Sequence, residues 1–335
     1  MEDIKVLNNT CLRNKWGGIY ILSYENVSIE SNYLIEDGFR VHYTKGLDKL
    51  RMRWNSVNNK PVGFFSNIGE EEIINREFGQ LFLVSCESLI VKNLEFSKVL
   101  VSIYVINCDY VTIQNCKVLD NKADCMVVRN SRNTIIKDNL FWSRYSCDSI
   151  VLFSCKKTVI RNNTCKSSTK NYGPDGIKFF NSNWTVIEGN WIFKNSFGIF
   201  VAESSNCTIT YNVIENNSAY GIYMRDHSDD NLIHHNSFIH NNYGGDSQAL
   251  DKGSNNTWFD PLTKEGNYWS DYDGEGNYSI ASSAKSKDPY PLNEDLDRIH
   301  KTDFQFVIFP LFLIVISLTI RRKKRKGKQI YLQIH

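Results

Sequence analysis

The chain has 335 residues, enough for one long domain or two compact ones, and carries 39 Lys and Arg against 37 Asp and Glu. Seven of the bases (Arg321, Arg322, Lys323, Lys324, Arg325, Lys326 and Lys328) fall after residue 320, where no acid occurs; removing them from the 39 leaves 32 bases against 37 acids. A mildly acidic body excludes a nucleic-acid partner for it. The nine cysteines are an odd number, so at least one is unpaired, and spacing alone assigns no disulfide.

At the start, MEDIKVLNN has no basic n-region and no apolar h-region, so it is not a secretory signal. Instead Ile4 and Val6 begin a motif, apolar-x-x-Asn-x-apolar, that recurs along the chain. Its Asn residues are Asn9, Asn32, Asn139, Asn163, Asn190, Asn212 and Asn236, spaced 23 residues apart in the first pair and 24, 27, 22 and 24 in the last four steps. Two further copies, at Val91 and Ile113, lack the Asn. Before each copy stands an alternating pair such as Ile103/Val105, Ile150/Leu152, Ile199/Val201 or Ile222/Met224, which is strand periodicity. A second column of small residues, Cys86, Cys108, Ser131, Cys155, Ser182, Ser204 and Ser228, marks another corner.

Repeats of this length with two or three short strands each predict an all-β fold, a right-handed single-stranded parallel β-helix. No coil can bury its own apolar face, so stacked coils share one core. Asn suits the column because it tolerates the left-handed backbone of a tight corner and can hydrogen-bond from coil to coil.

In chain order the expectation is incomplete coils over 1–34, an insertion or side excursion over 35–78, regular coils over 79–243 and a cap over 244–292. Trp258, Tyr268 and Trp269 would close the core there, because a solenoid end must be covered. A polar linker, 293–303, leads to Phe304–Ile320, 17 residues without a charge, and then to the basic tail 321–335. The apolar run predicts a single transmembrane helix in contact with membrane lipid, and the bases behind it predict a cytoplasmic tail and an extracytoplasmic body. Eight Asn-x-Ser/Thr sequons, at Asn8, Asn26, Asn162, Asn183, Asn206, Asn216, Asn255 and Asn277, fit a glycosylated exterior.

Candidate functional residues fall at the first strand of each coil. Its outward positions hold Tyr20, Phe82, Tyr104, Lys178, Phe200 and Tyr223, with Arg129 and Arg225 two residues along in their coils. Rings and cations spaced about 4.8 Å apart along a flat face suit a polysaccharide or glycan, unless the 35–78 segment covers them. Asp124, Asp148 and Asp175 each precede a first strand and should stack at one corner, close to Lys178. Stacked carboxylates repel, which suggests raised pKa values or a bound divalent cation; otherwise Asp merely suits a turn. No other cofactor and no metal site is expected. His234 and His235 are adjacent, and neighbouring side chains on a strand point to opposite faces, so a shared metal site is not predicted.

The coils, the stretch Val57-Asn-Asn-Lys-Pro-Val62, the return Gly79-Gln-Leu-Phe-Leu-Val-Ser-Cys86, and Gly266-Asn-Tyr-Trp-Ser-Asp-Tyr272 followed by Asp288-Pro-Tyr-Pro-Leu292 resemble the NosD-like β-helix proteins over roughly residues 1–292. These share a domain named for carbohydrate-binding proteins and sugar hydrolases. The resemblance implies a pectin-lyase-like fold and a membrane-anchored surface protein. It does not carry a copper role here, since no Cys, His and Met residues are spaced as a copper site. Three functions stay open: glycan binding; a polysaccharide lyase, hydrolase or epimerase using the Asp corner; and a structural or adhesive spacer.

Overall fold

The computed structural model describes residues 4–14, 17–21, 27–41, 49–145, 147–167, 173–282 and 286–295. Among them there is no α-helix, and three parallel sheets wind into a right-handed type of solenoid. The front sheet takes the first strand of each coil, from Gln80–Val84 and Ile103–Ile106 through Ile150–Phe153 and Ile177–Phe180 to Ile222–Met224 and Ala249–Asp251. The second sheet runs from Glu72–Ile74 to Leu232–His234, and the third from Glu95–Ser97 to Tyr268–Trp269. The second strands pair in register, so Ile113, Ile136, Ile160, Ile187, Ile209 and Ile233 form one inward column, all fully buried.

The Asn column works as a polar ladder. Asn190 Oδ1 accepts from Asn163 N (2.9 Å) and Asn163 Nδ2 (3.0 Å) in the preceding coil. Its Nδ2 donates to Asn212 Oδ1 in the next coil (2.9 Å) and to the main-chain oxygens of Ile160 and Glu188. Asn139, Asn163, Asn212 and Asn236 repeat this arrangement, and Asn267 extends it. The last member is Asp288, which accepts from Asn267 N (2.7 Å) and from Trp269 Nε1 (3.0 Å). The left-handed conformation expected of the ladder Asn belongs instead to the residue before it: Asp138, Asn162, Tyr211 and His235 have φ of 58°, 54°, 54° and 54°. The Asn side chain is needed for its amide rather than for its backbone freedom.

At the cap, Trp269 stacks on Phe238 (4.1 Å between centroids) and on Tyr278 (4.0 Å), with Trp258 beside it (6.0 Å). Both indoles are buried, whereas Tyr268 is only half-buried.

The segment 35–78 is not one excursion. It carries Phe39–Val41, Arg51–Arg53, Ser56–Val57, Lys60–Ser66 and Glu72–Ile74, divided between an N-terminal block and the main solenoid. In the block, Ile4–Leu7, Val27–Glu30 and Arg51–Arg53 form one parallel sheet, and an Asn ladder runs Asn9, Asn32, Asn55. Asn55 belongs to a motif copy, Met52-Arg-Trp-Asn-Ser-Val57, that the sequence reading passes over. The chain then reverses at a two-residue turn: Asn58 and Asn59 have φ of 52° and 62°, and Val57 pairs antiparallel with Lys60. Two successive left-handed residues are what a type I′ hairpin demands. This reversal breaks the repeat spacing and disguises the coils as an insertion.

The block has its own apolar interior, with Ile29, Leu34, Phe39, Val41 and Val57 packed onto the outer side of the front sheet at Phe82, Val84, Tyr104 and Ile106. The predicted membrane segment 304–320 and the basic tail lie outside the described residues. Among the described residues no helix is long and apolar enough to cross a membrane.

Candidate functional site

The N-terminal block divides the outer side of the front sheet in two. Phe82 and Tyr104, expected to be ligand platforms, are buried at 0% and 1% exposure. Their rings stack 4.9 Å apart, and Tyr104 Oη accepts a hydrogen bond from Val41 N of the block (3.2 Å). They are packing residues. Tyr20 is exposed but stands on a strand, Ile19–Ile21, that pairs with Phe39–Val41 and not with the front sheet.

Beyond the block the face opens. One ring per coil continues the columns: Phe153 and Phe180 stack 5.3 Å apart, Phe180 lies 5.5 Å from Phe200, and Phe200 meets Tyr223 edge-on at 5.4 Å. Cations border them. The Arg129 guanidinium lies 4.4 Å over Phe153, Lys178 lies 5.2 Å from the Phe200 ring, and Lys252 lies 5.7 Å from the Tyr223 ring. Arg225 is exposed at the same end. Phe200 is largely covered, while Phe153, Phe180 and Tyr223 are half-buried. Phe153 and Phe180 hold, in their own coils, the outward position that Arg129 holds in the coil before, a column that is largely apolar in the sequence.

The three acids do stack at one corner. Asp175 N donates to Asp148 Oδ1 (2.7 Å), and the main-chain bonds Cys125 N to Asp148 O and Ser149 N to Asp175 O set the coils in line. Lys178 Nζ stands 3.0 Å from Asp175 and 3.5 Å from Asp148, and Arg40 of the N-terminal block stands 3.7 Å from Asp124. An ammonium and a guanidinium thus place positive charge against the three carboxyls. Burial, reinforced by the neighbouring Asp148, pushes Asp124 up to about 6 against the pull of Arg40. Burial and Asp148 likewise push Asp175 up to about 6, with Lys178 opposing. Burial works against the Lys178 charge, but Asp148 and Asp175 outweigh it and hold the ammonium above its ordinary value. The corner therefore combines carboxyls that exchange protons near neutrality with a fixed positive charge, a pairing able to serve as acid or base.

A pH dependence follows. Asp124 and Asp175 bind their protons more tightly folded than unfolded, so their contribution to stability is present below about pH 4 and is lost as pH rises through about 6. Urea midpoints of the wild type should reflect that loss between pH 4.5 and 7, and Asp124→Asn should show a smaller one. An identical pH slope in the variant would remove Asp124 from the account.

His234 and His235 are also brought together, contrary to the strand-alternation argument. Because His235 is the left-handed corner residue, its ring turns to the same side as that of His234, and the two Nδ1 atoms lie 2.5 Å apart.

The fold and the open strip define a parallel β-helix protein with an aromatic and charged outer face. Within that class the chain belongs to the NosD family: residues 66–274 match the family described as periplasmic copper-binding protein (NosD). No curated protein sequence matches the chain. Among solved structures it is similar to the periplasmic alginate epimerase AlgG, at 13% identity over 86% of this chain and 74% of that one, with a TM-score of 0.45. It is also similar to the tailspike of E. coli bacteriophage HK620, at 11% identity and a TM-score of 0.46, where 87% of this chain spans 58% of the tailspike. An alginate lyase from Paenibacillus is a third, at 13% identity over 75% of this chain and a TM-score of 0.37.

Copper held by soft ligands would need accessible thiolates or thioethers. Among the described residues every cysteine except Cys11 is buried, as are Met52, Met126 and Met224. Those sulfur atoms pack the cores. Among the described residues, His234, His235 and Asp260 form a group able to hold a metal ion, with one candidate ligand atom from each within 4.8 Å of the others.

Proposed function

We propose that the chain is a membrane-anchored, extracytoplasmic β-helix that binds an acidic polysaccharide or glycan along the open half of its front sheet. The observation that carries this reading is the run of rings Phe153, Phe180, Phe200 and Tyr223, one per coil, with Arg129, Lys178 and Lys252 against them. Sugar CH groups pack on ring faces, and the cations meet carboxylate or sulfate groups. The repeat of the coil sets the repeat of the contacts, which suits a polymer. The anchor is the 304–320 segment, with the basic tail on the cytoplasmic side. Protease added to intact cells should digest the body; digestion of the tail alone would overturn this orientation.

The binding test uses the full chain against a panel of acidic and neutral polysaccharides. One stacked ring is worth about 1 kcal/mol, so Tyr223→Ala should weaken binding several-fold while leaving the melting temperature nearly unchanged. Arg225→Ala should weaken it further for acidic chains only. Absence of binding across the panel, or binding untouched by both substitutions, would sink the reading.

The raised carboxyls of Asp124 and Asp175 beside Lys178 favour a second reading, turnover of the bound polymer by a lyase, hydrolase or epimerase. Chain shortening or epimerisation of an acidic polysaccharide, lost in Asp148→Ala, would establish it.

A further inference from the structure

We infer that His234, His235 and Asp260 form a binding site for a divalent transition-metal ion, set at the corner after the last strand of the second sheet and closed from the cap. The two histidine Nδ1 atoms lie 2.5 Å apart, and the carboxylate of Asp260 completes a set whose ligand atoms all fall within 4.8 Å of one another. Metal-bound nitrogens sit about 2.0–2.1 Å from the ion, so neighbouring ligands lie roughly 3 Å apart. A small outward turn of His234, which is half-exposed, admits an ion between the rings.

The surroundings hold the site in shape. His235 is buried, and its other nitrogen, Nε2, contacts Glu265 Oε2 at 2.9 Å. A carboxylate on the far nitrogen fixes the tautomer of a metal-binding histidine and raises its basicity. The ring of Tyr211 stacks on His235 with centroids 5.0 Å apart, and Thr210 Oγ1 lies 3.4 Å from His234 Nδ1. Asp260 and Glu265 come from one turn of the cap, joined by the bond from Asp260 N to Glu265 O (2.7 Å). One short loop therefore delivers both the ligand carboxylate and the orienting carboxylate to a histidine pair on the solenoid. Two imidazoles and a carboxylate suit Zn²⁺, Cu²⁺ or Ni²⁺ rather than Ca²⁺ or Mg²⁺, which prefer all-oxygen sites. Asp260 and His234 are partly exposed, so the site has a route to solvent.

The competing account is a plain hydrogen bond between the two rings, one Nδ1–H donating to the other Nδ1, with no ion. The full chain, with thiols blocked by N-ethylmaleimide, is titrated with Cu²⁺ and with Zn²⁺. One equivalent should bind, and the Cu²⁺ electron paramagnetic resonance spectrum should show coupling to two imidazole nitrogens. His234→Gln should remove at least one coupled nitrogen and weaken binding more than tenfold. Asp260→Asn should weaken binding without altering the nitrogen count, and Glu265→Ala should weaken it about 10–100-fold. Circular dichroism and melting curves establish that each variant is folded. A wild type that binds no stoichiometric metal, or binding unchanged in both His234→Gln and Asp260→Asn, overturns the site and leaves only the hydrogen bond.

Discussion

Phe82→Ala is expected to destabilise the protein by about 3–5 kcal/mol, the cost of emptying a packed aromatic site. The ring is fully buried, stacks on Tyr104 at 4.9 Å and lies 6.4 Å from Phe64. It sits where the N-terminal block meets the front sheet, so its removal opens a void between two parts of the chain that are far apart in sequence. Collapse of the block could fill part of that void, which sets the lower bound. Urea unfolding measures the effect, and binding at the open strip should be unmoved in the folded fraction. A loss under about 1 kcal/mol would show that this face is not sealed by the block, and would return Phe82 to the list of candidate ligand contacts.

The second large effect is expected in the polar ladder. Asn190→Ala removes both acceptor bonds from Asn163 and the donor bonds to Ile160, Glu188 and Asn212. Each buried group left unpaired costs about 1–3 kcal/mol, though neighbours relax to recover some of this, so the expected loss is about 3–4 kcal/mol. Asn9→Ala is the control: Asn9 is exposed at the other end of the chain and should cost well under 1 kcal/mol. A loss at Asn190 no larger than at Asn9 would mean that a fully paired, buried place in a ladder contributes no more than an exposed end of one.

Much of this architecture is legible in the sequence because a solenoid repeats its physics. The apolar column recurs at a fixed place in each coil and the Asn column in most of them, so a local pattern reports a long-range contact. What was not legible follows from breaks in that regularity. The Asn58-Asn59 hairpin reverses the chain and hides the coil that holds Asn55. From periodicity alone Phe82, Tyr104, Phe200 and Tyr223 are equivalent outward positions; only the packing of Phe39 and Val41 onto the front sheet distinguishes the first two. The Asp corner was visible, since three acids held one position in three consecutive coils. That Lys178 would stand close to them was legible too; which two of the three it pairs with depends on the register between strands. His234 and His235 were misjudged because alternation stops where the strand ends, and the backbone at His235 is already the corner.

The ladder also has an electrical sense. Every member turns its oxygen toward the coil before and its amide nitrogen toward the coil after, as between Asn163, Asn190 and Asn212. The side-chain dipoles therefore add head to tail along the solenoid, with the positive end at the cap. Another Asn at that end would have one of its two amide hydrogens aimed at no further coil. Asp288 stands there instead, with no hydrogen to place and a negative charge to set against the positive end, much as an acidic side chain sits at the start of an α-helix. A row of amides ending in a carboxylate has a first member and a last, so coils can be added within the row without disturbing its ends, but its final position cannot be exchanged for an interior one.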